Sequence, residues 1–319
     1  MMRRALCVGI DDYEFGSLDG CVSDAQRIKA VLSHHQDGSP NFHCKMLLAP
    51  RGCKNALTRA FLLEQIELLF KDAADVALLH FSGHGTVNNL DGFLVTQDAR
   101  KYAEGVAMGD VLKLANSSKA TEVIILLDSC FSGQLGNLPA VDNTKAILRE
   151  GVSILTAARG DQPSVETGGE GVFTSLVCDA LEGGAANPLG GVTVPAIYAF
   201  VEAAFGPWDQ RPLFKAHISK VIELRRCTPP IDRALLRRLP TIFPLPAEDH
   251  LLDPSYEPKA PAPNPKNVAR FCELQALHRL HLVLPVNAAH MYDAAMESKA
   301  CRLTSSGRYY WRLAKDDRI

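Results

Sequence analysis

The chain lacks the signals that would place it in a membrane, on a nucleic acid or in an oxidising compartment. No apolar run approaches the roughly 18 residues a membrane span needs. The formal net charge is only −2, from 34 Lys+Arg against 36 Asp+Glu, so no chain-wide basic field exists to hold phosphates. No Cys-x-x-Cys pair occurs among the nine cysteines, which removes zinc-knuckle and thioredoxin-type readings. Gly-x-Ser-x-Gly and Gly-x-x-x-x-Gly-Lys are missing, and with them the serine-hydrolase elbow and the P-loop. The basic start at Arg3 and Arg4 turns acidic at Asp11 and Asp12. The apolar stretch between is too short for a signal peptide and reads as a first strand.

What is present is an ordinary globular composition: 319 residues, 47% hydrophobic and 22% charged. That length suits one large domain with a smaller one, or two of moderate size. Cysteines that are odd in number and widely spaced read as reduced, mainly buried thiols in a cytoplasmic protein. One of them is then free to act as a nucleophile.

Strands and helices alternate over the first two hundred residues. Residues 5–10, 44–48, 75–81, 122–127 and 152–157 are short apolar runs. Helical spacing of apolar positions marks 24–32 and 55–70, and further helices are expected over 171–181 and 194–205. Runs such as 75–81 and 122–127, with no polar alternation, suit central parallel strands covered on both faces. The expected fold class is α/β, with a mainly parallel sheet flanked by helices. Ten prolines fall between Pro229 and Pro265, so 228–265 reads as a linker or surface arm, with a helical turn at 231–239. Val268, Phe271, Leu274, Leu277 and Leu280 then open a small domain over 266–319. The run Leu303-Thr304-Ser305-Ser306-Gly307 resembles the start of a winged-helix segment.

Two loops each follow an apolar strand: Phe81-Ser82-Gly83-His84-Gly85, and Asp128-Ser129-Cys130-Phe131-Ser132-Gly133. Ligands of open α/β sheets bind beyond the carboxyl ends of the strands. A thiolate attacking a carbonyl needs a base nearby, and histidine has the right acidity. Cys130 is the candidate nucleophile, His84 its partner, and the backbone N–H groups of Gly85 and Cys130 candidates for holding the oxyanion. No Asp or Asn that would orient His84 is identifiable. Taken singly, the histidine reads as a turn residue and the cysteine as core. Two glycine-bounded motifs at consecutive strand ends argue for the dyad.

These two blocks resemble those of caspase-like cysteine peptidases (clan CD, family C14), on the metacaspase-like branch of bacterial type. Asp-Ser-Cys-Phe-Ser-Gly replaces the Gln-Ala-Cys-x-Gly common in animal caspases. The likeness extends to Gly20-Cys21-Val22-Ser23-Asp24-Ala25, to Thr156-Ala157-Ala158-Arg159 and to Gly171-Val172-Phe173-Thr174. It spans residues 4–222, so the expected peptidase domain is 1–227. The resemblance implies an endopeptidase cutting proteins after Arg or Lys, with Asp24 and Asp128 in the pocket for that basic residue. A carboxylate there pairs with a cation and repels an acid. Bland roles are a helix N-terminal charge for Asp24 and a turn residue for Asp128.

No resident cofactor is expected. Calcium, which some relatives need, would have to use Asp91, Asp98 and Glu104, too few oxygens for its six to eight ligands. That stretch reads as a solvated loop. Activation is expected by a signal or by processing, with an upstream peptidase as a partner. Lys145, Arg149, Arg225–Arg226 and Arg237–Arg238 are candidate cleavage points. A monomer without membrane or nucleic-acid partners is expected. Bacterial proteins of this resemblance often serve stress or antiviral defence. The alternatives are a catalytically silent caspase-like adaptor and a nucleic-acid-responsive regulator acting through the C-terminal module.

Overall fold

The computed structural model describes residues 2–53, 56–88, 91–129, 148–157, 166–167, 170–205, 212–218 and 220–319. The chain divides into two compact units. The first comprises Met1–Ala186 and Gly190–Thr228, the second Asn187–Leu189 and Pro229–Ile319.

The first unit runs β1 (Arg3–Ile10), α1 (Cys21–Ser33), β2 (His43–Ala49), α2 (Arg59–Lys71), β3 (Val76–Ser82), β4 (Gly85–Val87), β5 (Gly92–Arg100), β6 (Ala103–Ala107) and α3 (Met108–Ser117). It continues through β7 (Glu122–Asp128), β8 (Val152–Thr156), β9 (Glu166–Thr167), β10 (Glu170–Gly171), α4 (Val172–Asp179), β11 (Gly191–Thr193), α5 (Val194–Ala204), β12 (Leu213–His217) and β13 (Glu223–Arg226). Its main sheet has six strands in the order β12-β8-β7-β3-β1-β2. Five are parallel, and β12 closes one edge antiparallel to β8.

Side-chain alternation divides the core into two layers. Leu6, Val8, Ile10, Leu79, Phe81, Ile125 and Leu127 join the layer that includes Leu62 and Ile66 of α2 and Val111 of α3. Ala5, Cys7, Leu78, Ile124 and Leu126 join the opposite layer, with Ile28 of α1, Val177 of α4 and Ile197 of α5. Every residue of β3 and of β7 is buried. This is the two-sided burial expected of uninterrupted apolar runs.

Two regions depart from expectation. The 91–104 stretch is not a solvated loop. It forms β5 and β6 of a three-stranded antiparallel sheet in the order β4-β5-β6. Two of its polar residues, Thr96 and Gln97, are buried and hydrogen-bonded. Gln97, 7% exposed, donates to the carbonyls of Asp12 (2.9 Å) and Cys53 (2.7 Å) and accepts from the Leu57 N–H (2.9 Å). One amide thereby ties the β1–α1 and β2–α2 connections to β5, satisfying groups that burial would otherwise penalise.

The second unit contains α6 (Arg233–Arg237), α7 (Leu239–Ile242), β14 (His250–Leu251), α8 (Pro265–Arg279), β15 (Val283–Val286), α9 (Met291–Met296), β16 (Ala300–Leu303) and α10 (Ser305–Lys315). Its three strands are antiparallel, in the order β14-β16-β15. The proline-rich stretch is not a bare linker or arm. Leu236, Leu239, Ile242, Phe243 and Tyr256 share one core with Phe271, Leu274 and Leu277 of α8. Three prolines fit because they sit where a missing N–H costs nothing: Pro240, Pro254 and Pro265 open helical turns.

Of the paired arginines read as cleavage points, three lie in regular structure and Arg238 sits in the turn between α6 and α7. Arg225 and Arg226 belong to β13, and Arg225 donates to the carbonyls of His34 and Leu181, both at 2.9 Å. Arg237 donates to the Ile319 carbonyl at 2.8 Å, and Arg238 pairs with Glu273. Arg149 donates to the carbonyls of Ala115 (3.3 Å) and Ala120 (2.7 Å). Lys145 lies outside the described residues. Under native conditions, therefore, trypsin should leave both arginine pairs intact in intact-mass spectra, and cut them once urea unfolds the chain. Rapid native cleavage at either pair would contradict this placement.

Candidate active site

The register of the central strands brings Ser82 and Asp128, which open into the two motifs, to one end of the sheet. Ser82 lies opposite Asp128, and Gly9 lies opposite Ser82. His84 and Cys130 each follow their strand by two residues. The Gly83 N–H donates to the Asp128 carbonyl at 3.2 Å, joining the two strand exits. Cys130 itself lies outside the described residues.

On the face covered by α1 and α4, the strand ends turn from apolar to polar. Ser82 Oγ donates to Asp24 Oδ2 at 2.8 Å, and the Gly171 N–H to Asp24 Oδ1 at 3.2 Å. Asp128 Oδ2 accepts from Thr174 twice, from the backbone N–H at 3.1 Å and from Oγ1 at 2.7 Å. Asp24 and Asp128 are 3% and 6% exposed, so burial of both carboxylates depends on these donors. The two meet at Gly171. A Cβ there would lie 2.4 Å from Asp128 Oδ2 and 2.9 Å from Asp24 Oδ2. Only glycine lets the chain pass between them. A paired acid of this kind is suited to a guanidinium or an ammonium.

Asp11 prepares the same region. Its carboxylate accepts from the N–H groups of Cys21 (2.9 Å) and Val22 (3.2 Å), capping α1 from the end of β1. Burial, with like charge from Asp11, Asp24 and Asp128, pushes the Cys21 thiol well above its ordinary range. Cys21 therefore stays protonated and is no rival nucleophile.

His84 is held from several sides. Its Nε2 lies 2.7 Å from the Gly16 carbonyl oxygen, and its ring packs on Tyr13 (centroids 4.7 Å apart) and Phe15 (5.6 Å). A carbonyl can only accept, so Nε2 carries the hydrogen and Nδ1 is left as the basic nitrogen. The His84 N–H donates to the Tyr13 hydroxyl at 3.1 Å, and that hydroxyl donates to the Val95 carbonyl at 3.3 Å. Burial pushes the Tyr13 phenol well above its usual range, which keeps this donor in place. Gly83 is needed beside it, since a Cβ there would lie 2.5 Å from the Tyr13 hydroxyl.

Gly85 pairs with Leu94 across β4 and β5. The Val95 N–H bonds to the His84 carbonyl at 3.0 Å, which marks Gly85 and Leu94 as a non-hydrogen-bonded pair. The Gly85 N–H is thus left out of that ladder. Two of the three acids considered for calcium are engaged by backbone. Asp91 accepts from the N–H groups of Gly92 (2.8 Å) and Gly109 (2.9 Å), and Asp98 from that of Arg59 (2.9 Å). Glu104 lies on β6. Among the described residues, no group of three or more His, Cys, Asp or Glu side chains is arranged to hold a metal ion. No described helix is long and apolar enough to cross a membrane.

Several participants escaped sequence reasoning. Ser82 and Thr174 stood inside the motifs but without a role. The Gly16 carbonyl has no sequence signature at all. His80 is a third case. It is fully buried, and its Nε2 lies 3.4 Å from Thr174 Oγ1, which itself donates to Asp128. Burial pushes the imidazole down to about 3 from an ordinary 6.5, so it serves as a neutral core group.

Residues 2–222 match the caspase domain family, peptidase C14, and the chain belongs to that family. Two curated relatives are metacaspases. Metacaspase-1A of Aspergillus oryzae is 28% identical over 193 residues, covering 56% of this chain and 46% of the relative. Metacaspase-1 of Saccharomyces cerevisiae is 29% identical over 162 residues, covering 46% and 37%. The chain spans about half the length, or less, of these relatives. A solved protein of Geobacter sulfurreducens shares the fold at a TM-score of 0.51 and 18% identity, over 69% of this chain and 95% of that one.

Two measurements check this geometry. Gly171→Ala should cost about 1–3 kcal/mol of stability through overpacking, read from urea unfolding of the first unit; an unchanged midpoint would mean that the carboxylates can separate. The second concerns pH. Unfolded chain binds a proton at His80 below about 6.5, whereas the native state refuses it until about 3. Acid in that window therefore favours unfolding. Between pH 7 and pH 5, His80→Gln should remove about 2 kcal/mol of the acid-induced loss.

Proposed function

We propose that the protein is a cysteine endopeptidase that cleaves protein substrates after Arg or Lys, with Cys130 and His84 as its dyad. The observation that carries this reading is the meeting of Asp24 and Asp128 at Gly171, on the same end of the sheet as His84. Family membership supplies the peptidase chemistry. The acid pair supplies the preference for a basic residue.

In the reaction, His84 Nδ1 takes the Cys130 proton and the sulfur attacks the scissile carbonyl carbon. The oxyanion is held by the N–H groups of Gly85 and Cys130. His84 then passes the proton to the departing amine, and the C–N bond breaks. Water releases the acyl group from sulfur by the same proton transfers. The Gly16 carbonyl stabilises the imidazolium and keeps the ring oriented, as a carboxylate does in other triads.

On this reading the enzyme acts as a cytoplasmic monomer on protein substrates, switched on by a signal or by an upstream peptidase. The second unit is read as a winged-helix-like module that docks protein. Its surface charge is mixed, since Arg308, Arg312 and Lys315 are followed at once by Asp316 and Asp317.

A fluorogenic panel varying only the residue before the cut tests the proposal. Arg and Lys substrates should be cleaved and Asp substrates refused. Cys130→Ala and His84→Ala should abolish turnover. Asp128→Asn should lower kcat/KM for Arg by about 100-fold or more, the scale of an unpaired buried charge. Preference for Asp would overturn the pocket, and full activity of Cys130→Ala would overturn the mechanism.

A further inference from the structure

We infer that Phe15 forms the wall of the subsite for the residue that follows the cut, and that this subsite takes an uncharged apolar side chain. The inference rests on the peptidase reading above.

Phe15 is 58% exposed, whereas Tyr13, two residues earlier on the same loop, is 4% exposed. The loop is anchored. Leu18 N–H bonds to the Asp11 carbonyl (2.8 Å), Gln97 holds the Asp12 carbonyl (2.9 Å), and the Gly16 carbonyl accepts from His84 (2.7 Å). An aromatic ring is therefore presented to solvent from a backbone held at both ends. It lies against the group that performs proton transfer, with ring centroids 5.6 Å apart and planes tilted by 38°. Its other edge leans on Tyr13 at 5.3 Å.

The chemistry locates the substrate residue. His84 protonates the departing nitrogen, and that nitrogen belongs to the residue after the cut. The Cα of that residue is one bond from the atom His84 must touch, so its side chain begins beside the imidazole. Among the described residues, Phe15 offers exposed apolar surface beside the imidazole, and covering it removes both surfaces from water. Glu14, exposed on the same loop, sets like charge against an acidic residue there. The two sides of the scissile bond are thus recognised by opposite chemistry, a buried acid pair before it and an aromatic ring after it.

Internally quenched peptides with Arg before the cut and Leu, Phe, Gly or Asp after it test the inference, alongside an aminocoumarin amide that has no residue after the cut. Wild type should favour Leu over Gly by about 10-fold in kcat/KM and disfavour Asp. Phe15→Ala should bring the Leu/Gly ratio to within about 2-fold of unity, and Phe15→Leu should retain most of it. An equal loss on every substrate, the aminocoumarin amide included, would make Phe15 a mere prop for His84 and overturn the inference, as would a wild-type ratio near one. Failure of wild type to cut any substrate in a Cys130-dependent way would sink the peptidase reading itself.

Discussion

Gly171 passes between two carboxylates with no room for a side chain, and the carboxyl end of the sheet is arranged around that approach. Asp24 comes from the first turns of α1 and Asp128 from the last position of β7. Two buried acids do not meet without compensation, because each loses its water and each repels the other. Donors from α4 and the strands supply that compensation: the Gly171 N–H, the Thr174 N–H and hydroxyl, and Ser82 Oγ. The start of α4 is thus bound to the acid pair by its own first residues.

Around this pair the molecule sorts its titratable groups by burial. His80 is kept neutral and Cys21 protonated because each sits among core residues. His84 stands at the rim, with one nitrogen occupied by the Gly16 carbonyl. A group that must gain and lose a proton in turnover has to keep access to water and substrate. Rim placement provides access, while the carbonyl and the two aromatic rings remove the rotational freedom that access would otherwise allow.

Much of this frame is legible in the residues. The nearly continuous apolar runs at 75–81 and 122–127 read as central strands, and the Gly-His-Gly and Asp-Ser-Cys motifs follow them at once. The β4–β6 sheet was not legible. Its strands carry Thr96, Gln97, Asp98 and Glu104, which pattern reading takes for solvent-facing residues. Gln97 is buried because it bonds to groups of two separate connections, and such a role is invisible until those connections are adjacent. The proline-rich stretch misled for a similar reason. Proline density argues against interior structure, yet a proline in the first turn of a helix removes an N–H that had no partner to lose.

The sequence by itself determined the α/β alternation, which runs form central strands and the residue types available at their ends, because these follow from apolar periodicity and local chemistry. Only the tertiary structure decided which groups meet. The acid pair joins residues about 100 positions apart in the chain, and the partner of His84 is a backbone carbonyl, which every residue possesses and no motif can announce. The exposed face of Phe15 belongs to the same category. Its meaning depends on lying against one particular imidazole, and that adjacency is a property of the folded loop.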